Sequence, residues 1–258
     1  MGSNDEATHR VAELLRGARH VVALTGAGLS AESGIPTYRG PDGEWTKFGE
    51  PTIDGWDLFQ RSPAAWWEEA TRHRDIRTAF AEALDVAEPN AGHIAMFELE
   101  TMGRLAHVIT QNIDDLHRRA GTVHLTEIHG NRSWARCMNC GQREMLAQVT
   151  LDRLPPLCLD CGGVLKNDTV MFGEPIPHEA LRSCYRQAAL ADVFLLVGTS
   201  AVVYPAAEMP IRAKHNGARL VEINPNETDL SWIADVVVRA SAGEALPAIV
   251  ELLRGTGD

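Results

Sequence analysis

What is missing from this 258-residue chain narrows its class before any motif is read. No apolar run reaches the roughly 18 residues of a membrane-spanning helix, so no membrane partner is expected. The N-terminus has no basic-then-apolar export signal, which points to the cytoplasm. Positive charge is in deficit: 24 Lys and Arg stand against 35 Asp and Glu, a formal net charge of −11. A phosphodiester backbone is bound through basic groups, so direct nucleic-acid binding is not expected, whereas the acidity is compatible with Lys-rich peptides. There is no internal repeat, low-complexity tract or disordered linker. Cysteine is sparse, yet four of the five form Cys137-x-x-Cys140 and Cys158-x-x-Cys161, 17 residues apart. Two such turns supply four soft ligands to tetrahedral Zn²⁺ and leave no position open, so the expected metal is structural. A dithiol redox pair would leave the second pair unexplained. A nucleic-acid-binding ribbon would need more basic residues than this segment has. Cys184 reads as a packed cysteine on a helix.

What is present is organised around GAGLSAESGIPTYRG, residues 26–40. It follows His20–Thr25, an apolar run that reads as a buried parallel strand. Gly26 and Gly28 permit a tight turn and close approach to a ligand. Strand, glycine turn and helix start together predict an anion site, although Ala31 stands where a G-x-G-x-x-G fingerprint has its third glycine. Gly34 and Pro36 then break the helix and put Tyr38 and Arg39 on a loop able to close over a nucleotide.

Further helices are expected over 7–17, from the Ser62–Pro63 cap to about Ala87, from Pro89 to near Gly103, and over 177–190, 204–215 and 242–253. The stretch 41–63 reads as loop, with breakers Gly43, Gly49, Pro51 and Gly55 and anchors Trp45, Phe48, Trp56 and Phe59. Strands are expected over 105–110, 123–128, 192–198, 218–223 and 234–238. This alternation predicts an α/β fold with a doubly wound parallel sheet, whose ligands gather at the carboxyl ends of strands. Those ends hold Gly26-Ala27-Gly28, Gln111-Asn112-Ile113-Asp114, His129-Gly130, Gly198-Thr199-Ser200 and Asn224-Pro225-Asn226. These small and polar residues suit a ribose, a carboxamide and a pyrophosphate.

The first stretch resembles the signature G-A-G-x-S-x-x-S-G-I-P-x-aromatic-Arg of the sirtuins, the NAD-dependent protein lysine deacylases. Gln111-Asn112-Ile113-Asp114, His129-Gly130, Gly198-Thr199-Ser200 and Asn224 are similar to later motifs of that family, in the same order, from about Val21 to Leu253. The resemblance implies a single catalytic domain over 7–254. Within it, 7–41, 89–132 and 171–254 would form a Rossmann-like NAD-binding lobe, 42–88 the helical part of a small lobe, and 133–170 its zinc-binding insert. It implies His129 as catalytic base, Asn112 on the ribose, and Ile113 with Asp114 in the nicotinamide pocket. Gly26, Ala27, Gly28, Thr199 and Ser200 would surround the phosphates. Glu32, Thr37, Tyr38 and Arg39 would belong to the cofactor loop. Gln111, Gly198, Asn224, Pro225 and Asn226 would contact NAD as well, and Ala242 the adenine. Val170, Phe172, Gly173 and Glu174 would take the acyl-lysine peptide. Asp114 can equally be a helix N-cap.

By the same resemblance, the amide oxygen of acyl-lysine attacks C1′ of the nicotinamide ribose, nicotinamide leaves, and a ribose hydroxyl deprotonated with help from the histidine attacks the imidate. The products would be lysine, nicotinamide and 2′-O-acyl-ADP-ribose. Relatives that remove acidic acyl groups carry a Tyr-x-x-Arg pair where this chain has Ala70 and His73. No tyrosine lies between Asp54 and Asn90, and Arg72, Arg74 or Arg77 would be the cations left to substitute. Acetyl or longer neutral acyl groups are therefore expected. Tyr38 replaces the family's commoner phenylalanine, and Lys166-Asn167-Asp168 replaces Arg-Pro-Asp, which predicts a looser entry to the substrate segment. A mono-ADP-ribosyltransferase and a non-catalytic NAD sensor remain as other readings. A hydride-transferring oxidoreductase fits less well, because the Gly34–Gly40 break falls where its helix would continue.

Overall fold

The computed structural model describes residues 3–39, 43–49, 54–75 and 79–255. Short runs, mostly apolar at the centre of the sheet, pair as parallel strands. β1 (Val21–Thr25), β2 (His107–Thr110) and β3 (Leu125–Glu127) form one half of a sheet. After an inserted antiparallel sheet of β4 (Trp134–Cys137), β5 (Arg143–Met145) and β6 (Leu165–Asn167), the chain returns as β7 (Val193–Val197), β8 (Arg219–Ile223) and β9 (Val236–Val238). The six-stranded order is β3-β2-β1-β7-β8-β9, so β1 and β7 are neighbours from which the chain winds off in opposite directions. Ligands bind at such a switch point, beyond the carboxyl ends of the strands.

Alternation along the strands divides the core. Val21 and Ala23 of β1, with Val193, Leu195 and Val197 of β7, face the helices Ser3–Gly17, Ala91–Thr101 and Ala242–Arg254. Val22, Leu24, Phe194 and Leu196 face the helices His178–Leu190 and Glu208–His215 across Cys184, Ala188 and Met209. Cys184 is thus a packed thiol, and burial pushes its pKa up to about 12. Phe194 is fully buried, and truncating such a ring to Ala costs about 3–5 kcal/mol.

The stretch 41–63 departs from its loop reading: Glu44–Phe48 and Asp54–Arg61 are helical. Asp54 and Asp57 sit in the first turn of the second helix and Arg61 in its last, each favourable to the helix dipole. Inside it, Gly55 sits close against Met171, whose Sδ would lie 3.2 Å from a Cβ built there. Gly40, Pro41 and Pro51 lie outside the described residues. Ser62 Oγ accepts the Ala65 N–H at 3.3 Å and caps Pro63–Asp75. A second helix covers Ala79–Val86; residues 76–78, Arg77 among them, are outside the described residues, as are the side chains of His73 and Arg74. The next helix starts at Ala91 because the Asn90 side chain accepts the N–H groups of Gly92 and His93. The helix expected from Tyr204 starts only at Glu208, after turns over 204–207.

The insert and the helical stretch share a core. Phe59, Trp66 and Trp67 pack together, with Met138, Leu146, Val164 and Met171 against them. Trp67 Nε1 donates to the Leu165 carbonyl of β6 at 2.8 Å. Among the described residues no helix is long and apolar enough to cross a membrane.

Candidate active site

A cavity of about 1100 Å³ opens where β1, β2, β7 and β8 end. Its floor is a crossing of two glycine turns. Gly26 N–H donates to the Val197 carbonyl at 3.1 Å, and Gly28 N–H to the Gly198 carbonyl at 2.8 Å. A Cβ on Gly28 would lie 2.8 Å from Gly198 Cα, and one on Gly198, at φ +57°, 2.4 Å from Leu29 N. These glycines are therefore demanded first by the contact between the two loops. The anion-site expectation changes accordingly: the helix behind them is only Ala27–Ser30, followed by a 3₁₀ turn Ala31–Ser33, too short to bring a helix dipole to bear.

The β2 end supplies amides held in fixed orientations. Gln111 Nε2 donates to Thr199 Oγ1 at 2.7 Å. Asn112 Nδ2 donates both to the Gly26 carbonyl and to Ser30 Oγ, each at 3.0 Å, which leaves Oδ1 as its acceptor. Ser30 Oγ in turn donates to Asp114 Oδ2 at 2.6 Å. Asp114 also accepts the Leu116 N–H at 3.0 Å, and burial pushes its pKa above the ordinary carboxylate value. Asp114 thus does serve at a helix start, and its 7% exposed side chain stands behind the cavity wall. Ser30, buried and central to this chain, escaped the sequence reading; the available signal was the serine four residues after Gly26.

His129 follows β3 and lines the cavity. Its Nδ1 lies 3.1 Å from the Gln111 carbonyl. A carbonyl only accepts, so Nδ1 carries the proton and Nε2 keeps its lone pair. Burial lowers the pKa below 6.5, against an opposing effect of that hydrogen bond, so the ring is neutral at pH 7. The His129 carbonyl accepts the Val170 N–H at 2.9 Å. Val170, Phe172, Gly173 and Glu174 all line the cavity with Thr169 and Met171. The Glu174 carboxylate, however, is 1% exposed and paired with Lys166 and Arg136.

On the opposite wall Thr37, Tyr38 and Arg39 are joined by Trp45, read from sequence only as an anchor. The Arg39 guanidinium lies 4.5 Å from the Trp45 ring centre, while the Tyr38 and Phe172 rings flank Trp45 at 4.8 and 5.6 Å. Trp45 therefore bridges the loop after β1 and the segment after β6. Burial raises the Tyr38 pKa to about 12, so its hydroxyl stays protonated. Ala27, Ile113, Ser200, Asn224 and Asn226 also face the cavity. Ile176, Leu181, Val203 and Tyr204 line it too, with Pro175, Pro205, Glu227 and Thr228, none of them singled out as site residues from the sequence.

Three expected cofactor residues are elsewhere. Glu32 accepts Ser241 Oγ–H at 2.9 Å and Gly243 N–H at 2.7 Å, holding the start of the helix Ala242–Arg254. Ala242, the first residue of that helix, is 3% exposed and packs in the hydrophobic core, and Pro225 is not among the lining residues. Ala70 packs on the Phe59–Trp66–Trp67 cluster and borders a separate cavity of about 540 Å³.

Cys137, Cys140, Cys158 and Cys161 bring their Sγ atoms within 4.8 Å of one another. Four sulfurs around Zn²⁺ at ~2.3 Å stand about 3.8 Å apart, so the donor set fits that ion. N–H groups of Asn139 and Gly163 point at Cys137 Sγ and Cys161 Sγ at 3.4 Å, as expected for thiolate acceptors.

A doubly wound sheet with a dinucleotide-sized cavity at its switch point, beside a four-thiolate lobe, defines a nucleotide-dependent enzyme braced by a structural metal. Comparison with known proteins narrows this. Residues 26–205 match the model of the Sir2 family. The chain is 46% identical over 241 residues to NAD-dependent protein deacylase 2 of Pyrobaculum aerophilum, covering 93% of this chain and 94% of that protein. It is 42% identical over 247 residues to NAD-dependent protein deacetylase 1 of the same organism, covering 95% and 94%. A solved Sir2 complex with a p53 peptide and NAD⁺ superposes with a TM-score of 0.75 at 33% identity, over 94% of this chain and 96% of that one. The chain belongs to the Sir2 family and is an NAD-dependent protein deacylase.

Proposed function

We propose that the acyl group removed is acetyl, from lysine in protein or peptide substrates, with His129 as the base. The observation that carries the base is the geometry at His129, its Nδ1–H tied to Gln111, its ring set in the cavity and its backbone bonded to Val170, while the acetyl assignment rests on Ala70 and on the lack of any tyrosine between Asp54 and Asn90. NAD, when bound, supplies a C1′ from which nicotinamide can leave. The protein's own part follows from its donors and acceptors. Asn112 offers Oδ1 to a ribose hydroxyl, with its amide held by Gly26 and Ser30. His129 Nε2 takes a proton from a ribose hydroxyl, which its depressed pKa permits at neutral pH. Ile113 borders the nicotinamide end, and Asp114 acts there through Ser30 and the local backbone.

The glycine crossing, Thr199 and Ser200 would receive the phosphates, and Asn224 and Asn226 the far ribose. Tyr38, Arg39 and Trp45 close that wall against water. The peptide pairs its backbone with Val170–Glu174, a mode that reads little side-chain sequence. The Rossmann-like lobe is taken as 7–41, 89–132 and 171–254, with 42–88 and 133–170 as the small lobe. Thiols that serve as metal ligands suit a reducing, cytoplasmic setting.

The test is mass spectrometry on a peptide panel carrying acetyl, butyryl, myristoyl or succinyl lysine, with and without NAD, using the native chain and His129→Ala. NAD-dependent loss of acetyl with formation of O-acetyl-ADP-ribose, abolished in the variant, is expected. Preferential loss of succinyl would overturn the acyl assignment. An NAD-dependent mass gain on protein without acyl loss would make the chain an ADP-ribosyltransferase instead.

A further inference from the structure

Lys166 is the largest fully buried side chain in the molecule's described residues, at 0% exposure. Burying an ammonium is costly unless acceptors surround it. Here four do. Nζ lies 2.6 Å from the Thr169 carbonyl, 2.8 Å from the Asn167 carbonyl, 3.3 Å from Asn167 Oδ1 and 3.0 Å from Glu174 Oε2. Glu174 is the far end of the same segment. Its carboxylate also receives Arg136 Nη2 at 3.0 Å and the Met171 N–H at 3.0 Å, and its own N–H returns to the Met171 carbonyl. One ammonium therefore fastens both ends of a short run whose middle, Val170 to Gly173, lines the cavity.

The fastening is anchored outward. Arg136 of β4 pairs with Glu174 and with Asp168, Asp168 with Arg143 of β5, and Arg143 with Glu127 of β3, which Arg118 completes. Charges alternate from the large sheet through the small one to the segment, with Asp168, Glu127 and Glu174 each at most 5% exposed on their side chains. Its inner part, Lys166, Glu174 and Asp168 with the largely buried Arg136, is little screened by salt, while Arg118 and Arg143 at its outer end are about one third exposed.

We propose that Lys166 is a positioning residue for substrate: its ammonium sets the backbone of Val170–Gly173 against which the acyl-lysine peptide pairs. This rests on the reading that the peptide lies along that segment. A lysine suits this fastening, because a compact ammonium reaches two carbonyls and a carboxylate at once whereas a planar guanidinium spreads its donors. Removing it leaves two carbonyls and part of a carboxylate without a donor, and the segment is then free to shift while the β1–β7 crossing that shapes the NAD side is untouched.

The experiment measures KM for acetyl-peptide and for NAD in Lys166→Met, Glu174→Gln and Lys166→Arg, with circular dichroism as the control for folding. Peptide KM is expected to rise by about tenfold or more in the first two, with NAD KM within about twofold of native, and Lys166→Arg to recover part of the loss. If Lys166→Met does not fold, Glu174→Gln carries the same prediction, since it keeps shape and removes only charge. Unchanged peptide KM in a folded Lys166→Met or Glu174→Gln, or a parallel rise of both KM values, overturns the proposal. A photo-crosslinking acetyl-peptide on the native chain separates the two readings. Label within Val170–Glu174 together with unchanged KM sinks only the role of Lys166, and label elsewhere sinks the placement of the peptide and this proposal with it.

Discussion

Substituting Gly130 by alanine tests the closest contact around the site. Gly130 has φ +74°, and a Cβ built on it lies 1.6 Å from the Asp168 carbonyl oxygen and 2.7 Å from its carbon. Real Cβ contacts do not come under 3.0 Å, so either the turn after His129 or the start of the substrate segment must move by about 1.4 Å. Three costs add. The left-handed backbone is disfavoured by about 1–2 kcal/mol for a residue with a side chain. Overpacking against backbone, which cannot rotate away as a side chain can, costs about 1–3 kcal/mol. Loss of the Val170-to-His129 hydrogen bond adds about 1 kcal/mol. The total is about 3–6 kcal/mol, much of a typical domain's stability. Gly103→Ala is the matched control: φ is +66° there and a Cβ meets nothing within 4 Å, so only the backbone strain of about 1–2 kcal/mol applies. Urea unfolding of both variants measures the difference, and steady-state kinetics of any folded Gly130→Ala should show turnover lost along with peptide affinity. Equal destabilisation of the two, or native turnover in Gly130→Ala, would show that the His129 turn and the Asp168 segment are not locked as described.

Three further outcomes are expected. The acid limb of kcat/KM should fall below pH 6.5, because His129 must be neutral to accept a proton and burial lowers its pKa; a limb above 6.5 would contradict that environment. Stability should fall as pH drops from 7 to 5. Buried His93 and His117 have pKa values lowered to about 4 and about 3, so the folded chain stays unprotonated while the unfolded chain takes up protons below 6.5, at up to about 1.4 kcal/mol per imidazole per pH unit. A urea midpoint that does not move over that range would refute it. Stripping zinc with a chelator, or Cys137→Ser, should unravel the end of the β4–β6 sheet where Cys137 and Cys158 pack against Leu165 and Val149, and abolish peptide turnover. Proteolysis read by mass spectrometry should then cut first between 133 and 170, and uniform resistance there would exclude a metal-dependent lobe.

Much of this was legible because each signal was local. The apolar runs Val21–Thr25 and Val193–Val197 are buried on both faces and read directly as parallel strands. The cysteine spacing predicted a four-thiolate cluster, and the polar strand ends gave the cavity's floor and its β2 side. What the residues did not show depended on partners distant in sequence. The helix Asp54–Arg61 was hidden by Gly55, whose smallness answers to Met171, over a hundred residues away. Trp45 read as an anchor because its neighbours Phe172 and Arg39 come together only in the fold. Glu32 looked like part of a nucleotide loop, yet its carboxylate is spent on Ser241 and Gly243 at the far end of the chain. Ala70, chosen by its place in a motif, turned out to face a separate aromatic cluster.

Lys166 shows the limit of reading a departure from a family pattern by residue type alone. Loss of a proline before the substrate segment suggested a looser entry, since proline restricts the backbone it occupies. The structure meets that loss in another way. Asn167, freed of the ring, supplies both its carbonyl and its Oδ1 to the lysine, and Oδ1 also accepts the Thr169 hydroxyl at 3.1 Å. The entry is held by four acceptors around one charge rather than by a stiff dihedral. The two devices respond differently to perturbation: a proline's restraint survives removal of a neighbouring charge, whereas this one fails with either Lys166 or Glu174. Replacing Asn167 by proline in the Lys166→Met background should therefore recover part of the lost peptide affinity if backbone order is what the lysine provides. No recovery, with the fold intact, would mean that the charge acts on the peptide by a route other than the order of this segment.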